Sequence, residues 1–148
     1  MKEWLQGKYT LINPEKYLGD PDNVIYRSSW ELDVFKKLDL NPNILKWVSE
    51  EVVIPYAKPD IKTGGFVQGY YHPDIFIVKK TVKGEIEREL IEIKPYKQTI
   101  PPKSRKPSTR IQEEYTYIVN KHKWAAAEAW CDARGIKFRL LTEKNLFV

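Results

Sequence analysis

Three side chains in the middle of the chain have the types and spacing for chemistry on a phosphate ester: Asp74, Glu92 and Lys94. Asp74 follows Pro73 inside an apolar run, VQGYYHPDIFIV (67–78), and Glu92 and Lys94 close a second run, ERELIEIK (87–94). Residues two apart on a strand share a face, so Glu92 and Lys94 stand on one side of theirs. With a hairpin turn at Lys83-Gly84, the two runs bring both carboxylates to one end of a sheet. Magnesium and manganese take hard oxygen ligands, often one or two carboxylates completed by water and phosphate oxygens. Two adjacent carboxylates also repel each other, and a bound cation relieves that repulsion. Such a metal polarises the phosphate and lowers the pKa of its water, while a lysine on the same face neutralises developing charge or orients the attacking water. Each half of the pattern is weak by itself, because a strand ending in Glu-x-Lys also makes an ordinary cross-strand charge pair. The weight comes from the order of acid, acid and base on successive β segments, ahead of a basic loop and a helix.

The elements that would position these residues follow from periodicity. Residues 1–26 read as an extended arm with turns at Asn13-Pro14 and Asp20-Pro21, and Trp4, Tyr9, Tyr17 and Tyr26 predict that it packs on the domain. A helix is expected over 28–40. Trp30, Val34, Phe35 and Leu38 give it one apolar face, Ser28 with Glu31 matches a capping box, and Asn41-Pro42 stops it. A short helical turn is expected over 43–48, a strand over 51–56, and a strand over 67–78 broken at Pro73. After the strand at 87–94, the segment PYKQTIPPKSRKP (95–107) reads as loop. Ser108 or Thr109 is a candidate cap for a long helix to about 134, with a small break near 120–122 and Gly135 just past its end. Residues 136–141 read as the last strand, so strand, helix and strand imply two parallel strands joined by a crossover. The fold class is α/β: a mixed sheet of four or five strands flanked by helices, in a single domain over 1–148.

Composition narrows the function classes. With 42% hydrophobic and 30% charged residues, the chain is a globular protein and not a disordered one. No apolar run approaches the roughly 20 residues that span a bilayer, and the N-terminus lacks the apolar core of a signal peptide, so neither membrane insertion nor secretion is expected. Cys131 is the only cysteine, which excludes an internal disulfide and a zinc framework and leaves it a bystander. No Gly-rich phosphate cradle is present, so no nucleotide cofactor is expected. The net charge of +5 permits nucleic-acid binding, and its distribution favours it. From Lys94 to Arg110 the chain carries Lys94, Lys97, Lys103, Arg105, Lys106 and Arg110 with no acid between them. This proline-rich loop is the best candidate for gripping a DNA backbone, where phosphate contacts dominate affinity. Arg27, one turn before Glu31, is a candidate for a phosphate or a carboxylate, and His72 for DNA or a metal-bound water. Lys97 and Gln98, just past Lys94, are candidates for a phosphate. Each has a plainer alternative: a surface ion pair, a structural histidine, a solvated loop. Trp124 and Trp130 read as helix packing rather than base stacking.

The segments HPDIFIV and LIEIK resemble the PD-(D/E)xK nuclease superfamily, which has the restriction-endonuclease-like fold. YRSSWE, EEVVIPY, HPDIFIV, IEIKP, the proline-rich basic loop and GIKFRLLTE together resemble the head completion nucleases of T-even-like tailed phages, from about Tyr17 to Glu143. The chain is similar, more distantly, to the TnsA-type transposon endonucleases. This resemblance implies a restriction-endonuclease-like core, dependence on Mg²⁺ or Mn²⁺, and cleavage of DNA. It also implies a role late in virion assembly, with phage head, portal or neck proteins as partners and the host cytoplasm or the virion head as location. By the same resemblance Asp74 and Glu92 are metal ligands, the peptide carbonyl of Ile93 is a further ligand, Lys94 is the catalytic lysine, and Glu31 is the early helical glutamate. Glu31 is also the acid of the capping box, and a glutamate tied to a backbone N–H is less free to bind metal. Two other readings stay open. One is a non-enzymatic virion protein that holds packaged DNA with the same basic face; the other is a transposon- or repair-type endonuclease that cuts only with a partner.

Overall fold

The computed structural model describes residues 6–146. In chain order its elements are β1 (Gly7–Lys8), β2 (Ile25–Tyr26), α1 (Ser29–Leu40), β3 (Ile44–Ser49), β4 (Ile54–Pro59), β5 (Phe66–Tyr71), β6 (Ile75–Lys80), β7 (Ile86–Ile93), α2 (Pro107–Asp132), β8 (Lys137–Leu141) and α3 (Glu143–Leu146). Short 3-10 turns lie at Pro14–Lys16 and Tyr96–Gln98.

The run Leu90-Ile91-Glu92-Ile93 is buried on both sides, as befits a strand inside a sheet covered on both faces. The sheet order is β3-β6-β7-β8, with β3/β6 and β6/β7 antiparallel and β7/β8 parallel. Ile91 and Ile93, with Ile75 and Ile77 of β6, pack against Trp30, Val34, Phe35 and Leu38 of α1. On the other face Leu90 packs with Val119, Trp124, Ala127 and Cys131 of α2. This mixed four-stranded sheet between helices is the α/β, restriction-endonuclease-like architecture expected from the sequence. Gly135, at φ 67°, ends α2 in the left-handed conformation that a helix terminus favours, and lets the chain turn into β8.

The apolar run 67–78 serves two strands in different sheets. Its first half, β5, pairs with β4 from Ile54↔Tyr71 to Pro59↔Phe66, and this hairpin packs on α2 through Ile54, Tyr56 and Tyr71. Its second half enters the main sheet as β6. The buried Pro73 lies at the switch, where a missing N–H breaks a ladder at no further loss.

Several sequence expectations need correction. Residues 43–48 are not a helical turn but β3, held by pairing with β6 and by the fully buried Trp47 wedged against Tyr17 and Phe35. The strand expected over 51–56 starts at Ile54 and runs on to Pro59. Helix α2 is unbroken through 120–122, where Val119, Asn120 and Trp124 all sink into the packed side. It begins at Pro107, ahead of Ser108 and Thr109, and no side chain caps it. Proline favours that first position because its φ is already helical and its absent N–H would be unpaired there anyway. The turn at 96–98 and helix α3 carry no periodicity long enough to read.

Helix α1 starts as expected, with Ser28 Oγ accepting the Glu31 N–H at 3.2 Å. Its other end fastens the N-terminal segment. The buried Asp39 carboxylate accepts hydrogen bonds from Tyr9 Oη (2.7 Å) and from the backbone N–H groups of Ile12 (2.8 Å) and Asn13 (3.0 Å). Lys16 Nζ donates to the carbonyls of Leu38, Asp39 and Asn41, complementing the negative end of the helix. Tyr9, Tyr17 and Tyr26 pack on the α1 side of the core, while Trp4 lies outside the described residues.

Candidate active site

The β6/β7 register ends at Ile75↔Ile91, and one further step places Asp74 opposite Glu92. Opposed residues on an antiparallel pair share a face, with Cβ atoms roughly 5 Å apart. A hydrogen bond from the Ile93 N–H to Asp74 Oδ2, at 2.7 Å, ties the two strand ends together. Glu92 lies on the α2 face, like Leu90, and is only 6% exposed. Lys94 Nζ is 3.6 Å from Glu92 Oε2, and the Lys94 N–H is held by the Leu141 carbonyl of β8 at 3.0 Å. Burial pushes the Glu92 carboxyl above its ordinary range, against the opposing pull of Lys94, Tyr71 and Lys123.

Side chains that the sequence does not flag complete the surroundings. Glu92 Oε1, Tyr71 Oη and Trp124 Nε1 are buried together, with the Tyr71 hydroxyl between the Glu92 carboxylate and the Trp124 indole. The Tyr71 hydroxyl lies close enough to Glu92 and Asp74 that their charges, added to burial, drive its ionisation far up. Lys123, on α2, places Nζ 5.8 Å from the Tyr71 ring centroid. Burial pushes the Lys123 ammonium below its ordinary pKa, Lys94 and Lys58 lower it further, and Glu92 pulls it back. Lys94 at the end of β7 and Lys123 on α2 therefore flank one buried carboxylate, and Lys58 of β4 lies close enough to Lys123 to repel it. The other buried acid of β7, Glu89, is answered by Lys79 at 2.7 Å and Arg139 at 3.2 Å and reads as a structural ion cluster.

The donor set fits a hard cation. A buried carboxylate opposite a second carboxylate suits Mg²⁺ or Mn²⁺, which keep several waters and take phosphate oxygens to complete their shell. Among the described residues no three His, Cys, Asp or Glu side chains converge into an all-protein cage, which is the zinc type of site.

All of these groups lie in a segment that matches a family profile. The profile of the TnsA-like endonuclease N-terminal family matches residues 41–143, from β3 into the start of α3. The chain belongs to the TnsA-like endonuclease family. The head completion nuclease of Enterobacteria phage T4 is 42% identical over 146 residues, covering 95% of this chain and 92% of that one. In this TnsA-like endonuclease the family match includes Asp74, Glu92 and Lys94 and begins after Glu31.

Glu31 reaches the same end of the sheet by a relay. Its Oε1 accepts the Arg27 N–H at 3.3 Å, one residue before the Ser28 N–H that a capping box would use. The Arg27 guanidinium grips Glu50 through Nε (2.7 Å) and its second terminal nitrogen (3.1 Å). The Glu50 N–H then donates to the Asp74 carbonyl at 3.0 Å. Glu50 sits at φ 60°, a left-handed conformation unusual for a residue with a side chain, directly beside the proposed metal ligand. Arg27 thus holds a carboxylate in this structure, one of its two expected partners.

The remaining candidates lie on the rim. His72 is exposed beside Pro73, Lys97 and Gln98 are exposed on the 3-10 turn, and Lys103, Arg105 and Lys106 are exposed on the loop. Arg110 belongs to α2, not to the loop, and pairs with Glu114 at 2.9 Å, because the helix starts earlier than the sequence suggests. The turn after Lys94 is pinned from the C-terminal side: Glu143 Oε1 accepts the Tyr96 N–H at 2.6 Å, and Lys144 Nζ lies 3.5 Å from the Tyr96 ring centroid. Trp124 packs on the sheet, and Arg134 stacks 4.1 Å from the Trp130 ring centroid. Cys131 is fully buried, and burial pushes its thiol up to about 11, so it is inert.

Proposed function

We propose that this endonuclease hydrolyses DNA phosphodiesters with Mg²⁺ or Mn²⁺ held by Asp74, Glu92 and the Ile93 carbonyl, and that it acts on packaged DNA during phage head completion. The observation that carries the reading is the buried Glu92 carboxylate, one register step beyond Ile75↔Ile91 and so opposite Asp74, with Lys94 beside it. When bound, the metal supplies Lewis-acid polarisation of the phosphate and a water of lowered pKa. Lys94 neutralises charge on the phosphate and orients the attacking water, and Lys123 adds a second cation from the helix side. Tyr71 and Trp124 seal the floor against bulk water, which strengthens each of those electrostatic contacts. Glu31, through Arg27 and Glu50, steadies the backbone that carries Asp74 and stands as a further candidate catalytic group.

Lys97, Gln98, Lys103, Arg105 and Lys106 form the DNA-binding surface, with the exposed His72 as a further candidate contact. Arg27 and Arg110 join it only by exchanging Glu50 and Glu114 for phosphate. The head completion nuclease of phage T4 supports the head completion setting, in which head, portal or neck proteins would be partners and the host cytoplasm or the virion head the location. The test is cleavage of plasmid and overhang DNA by purified protein with Mg²⁺, with and without chelator. Chelator-sensitive cutting that Asp74→Ala and Lys94→Ala abolish is expected. Absence of cutting would favour a DNA-holding virion protein, and cutting only after a partner is added would favour a transposon- or repair-type enzyme.

A further inference from the structure

A cavity of about 540 Å³ lies between the proline-rich segment after Lys94 and the first half of α2. It is separate from the Asp74–Glu92 cleft. That volume falls within the roughly 300–1,000 Å³ range of small-molecule sites, large enough for a nucleotide. Its α2 wall uses Gln112, Glu113, Thr116, Tyr117 and Asn120, the spacing of one helix face. Asn120 is only 5% exposed, so its amide is a polar group set into the packed side of the helix at the cavity floor. Tyr117 offers a ring, Gln112 a second amide, and Lys97 and Lys103 stand on the opposite wall. Glu113, also on the wall, argues against a bare phosphate as occupant but suits the exocyclic amino group of a base.

We propose that this cavity receives one unpaired nucleotide next to the scissile phosphate, its base between Tyr117 and the amides and its phosphates toward the lysines. The inference rests on the reading of the protein as a DNA nuclease and adds a preference for single-stranded ends or junctions. Position along the helix supports it. Asn120 is one turn before Lys123, a rise of about 4.5 Å, so the same face of α2 leads from the cavity to the cation beside Glu92. The strand end carrying Lys94 also runs through only Pro95 and Tyr96 before reaching Lys97 on the cavity wall. An aromatic ring that stacks a base without choosing its identity, together with amides that hydrogen-bond its edge, is how proteins hold single strands.

The test measures binding of the full chain, in chelator, to fluorescein-labelled blunt duplex and to duplex of the same phosphate count carrying a short single-stranded extension. The extended DNA should bind about tenfold more tightly, as expected for one stacked base. A 2-aminopurine in the extension should change its emission on binding. Gln112→Ala with Tyr117→Leu should remove both effects while leaving blunt-duplex affinity, and cutting after Mg²⁺ is restored, unchanged. Equal affinity for the two DNAs, or a preference that survives the double substitution in a protein that still melts as the parent does, overturns the cavity assignment and leaves the nuclease reading intact. Failure to bind or cut either DNA overturns both.

Discussion

Asp74 holds the fold and is the proposed metal ligand, and two substitutions separate these roles. Its Oδ2 accepts the N–H of Ile93, a residue only 2% exposed, at 2.7 Å. A hydrogen bond to an ionised group contributes about 1.5–3 kcal/mol, and one between neutral groups about 1 kcal/mol. Asp74→Asn keeps an acceptor in place and should reduce stability by about 1 kcal/mol. Asp74→Ala strands the buried N–H and should reduce it by about 2–3 kcal/mol. Metal separates the variants from the parent in the opposite sense. At a hundredfold excess over its dissociation constant, a bound ion stabilises the native state by about 2.7 kcal/mol, and neither variant should gain this. Loss of the ion's several kcal/mol of transition-state stabilisation should lower cutting about a thousandfold in both. The assay is urea unfolding in chelator and in Mn²⁺, alongside plasmid nicking. An Asn variant that nicks at the parental rate, or that gains as much stability from Mn²⁺, would refute the ligand role. An Ala variant as stable as the Asn variant in chelator would refute the account of the Ile93 bond.

Lys123→Met keeps the aliphatic stem over Tyr71, so stability should stay within about 1 kcal/mol while cutting falls roughly tenfold to a hundredfold. Unchanged cutting would remove Lys123 from the site, and partial recovery in Lys123→Arg would identify the charge as what matters. Arg105→Ala with Lys106→Ala should lower DNA affinity and flatten the plot of log affinity against log salt by about 2, since each phosphate contact contributes about 0.9; an unchanged slope would move the DNA path elsewhere. Asp39 tests the anchoring of the N-terminal segment. Burial would raise its pKa, but the Ile12 and Asn13 amides, the Tyr9 hydroxyl and Lys16 hold it below the usual value of 3.8. A depressed folded pKa means stability present above the unfolded pKa and lost as pH falls through the folded one. Asp39→Ala should therefore cost about 3 kcal/mol at pH 7, and its urea midpoint should fall less than the parent's between pH 5 and pH 2; parallel curves would contradict this.

The parts of the fold legible in the sequence are those in which local pattern and tertiary demand agree. Helix α1 shows its apolar face, its Ser28 cap and its Asn41-Pro42 stop within one short stretch. β7 shows as a mixed strand closing in Glu92 and Lys94, although the unbroken burial of its last five residues comes from the helices on both faces. β3 is the contrary case. Asn43–Val48 sits just after a helix stop and has the length of one more turn, and only pairing with β6, some thirty residues on, makes it a strand. The run 67–78 misleads in another way. It is β-prone throughout, and nothing local to it says that its halves join different sheets, because β5 finds its partner in β4 and β6 finds its partners in β3 and β7.

The same distinction separates the visible part of the site from the hidden part. Asp74, Glu92 and Lys94 are close in sequence because a single hairpin brings them together, so spacing alone juxtaposes them. Lys123 reaches Glu92 only because Val119, Trp124 and Ala127 lay α2 on the sheet, and Tyr71 reaches Glu92, and Lys58 reaches Lys123, only because the β4–β5 hairpin packs on that helix. On the sequence they are an ordinary charge on an Ala-rich helix and ordinary residues of a hairpin. Glu50 carries still less local signal, since its positive φ is imposed by a bend that must hand one N–H to Asp74 and one carboxylate to Arg27. The hairpin therefore explains where the two carboxylates are, and helix packing explains what surrounds them. A buried acid flanked by lysines from the end of β7 and from α2 is an arrangement whose balance would change if a cation and a phosphate arrived together. A cation at Glu92 would compete with the lysines for its carboxylate, and a phosphate would give them a second anion. That joint demand for metal and substrate is the physical reason to read Lys94 and Lys123 as substrate-facing cations and not as a surface ion cluster.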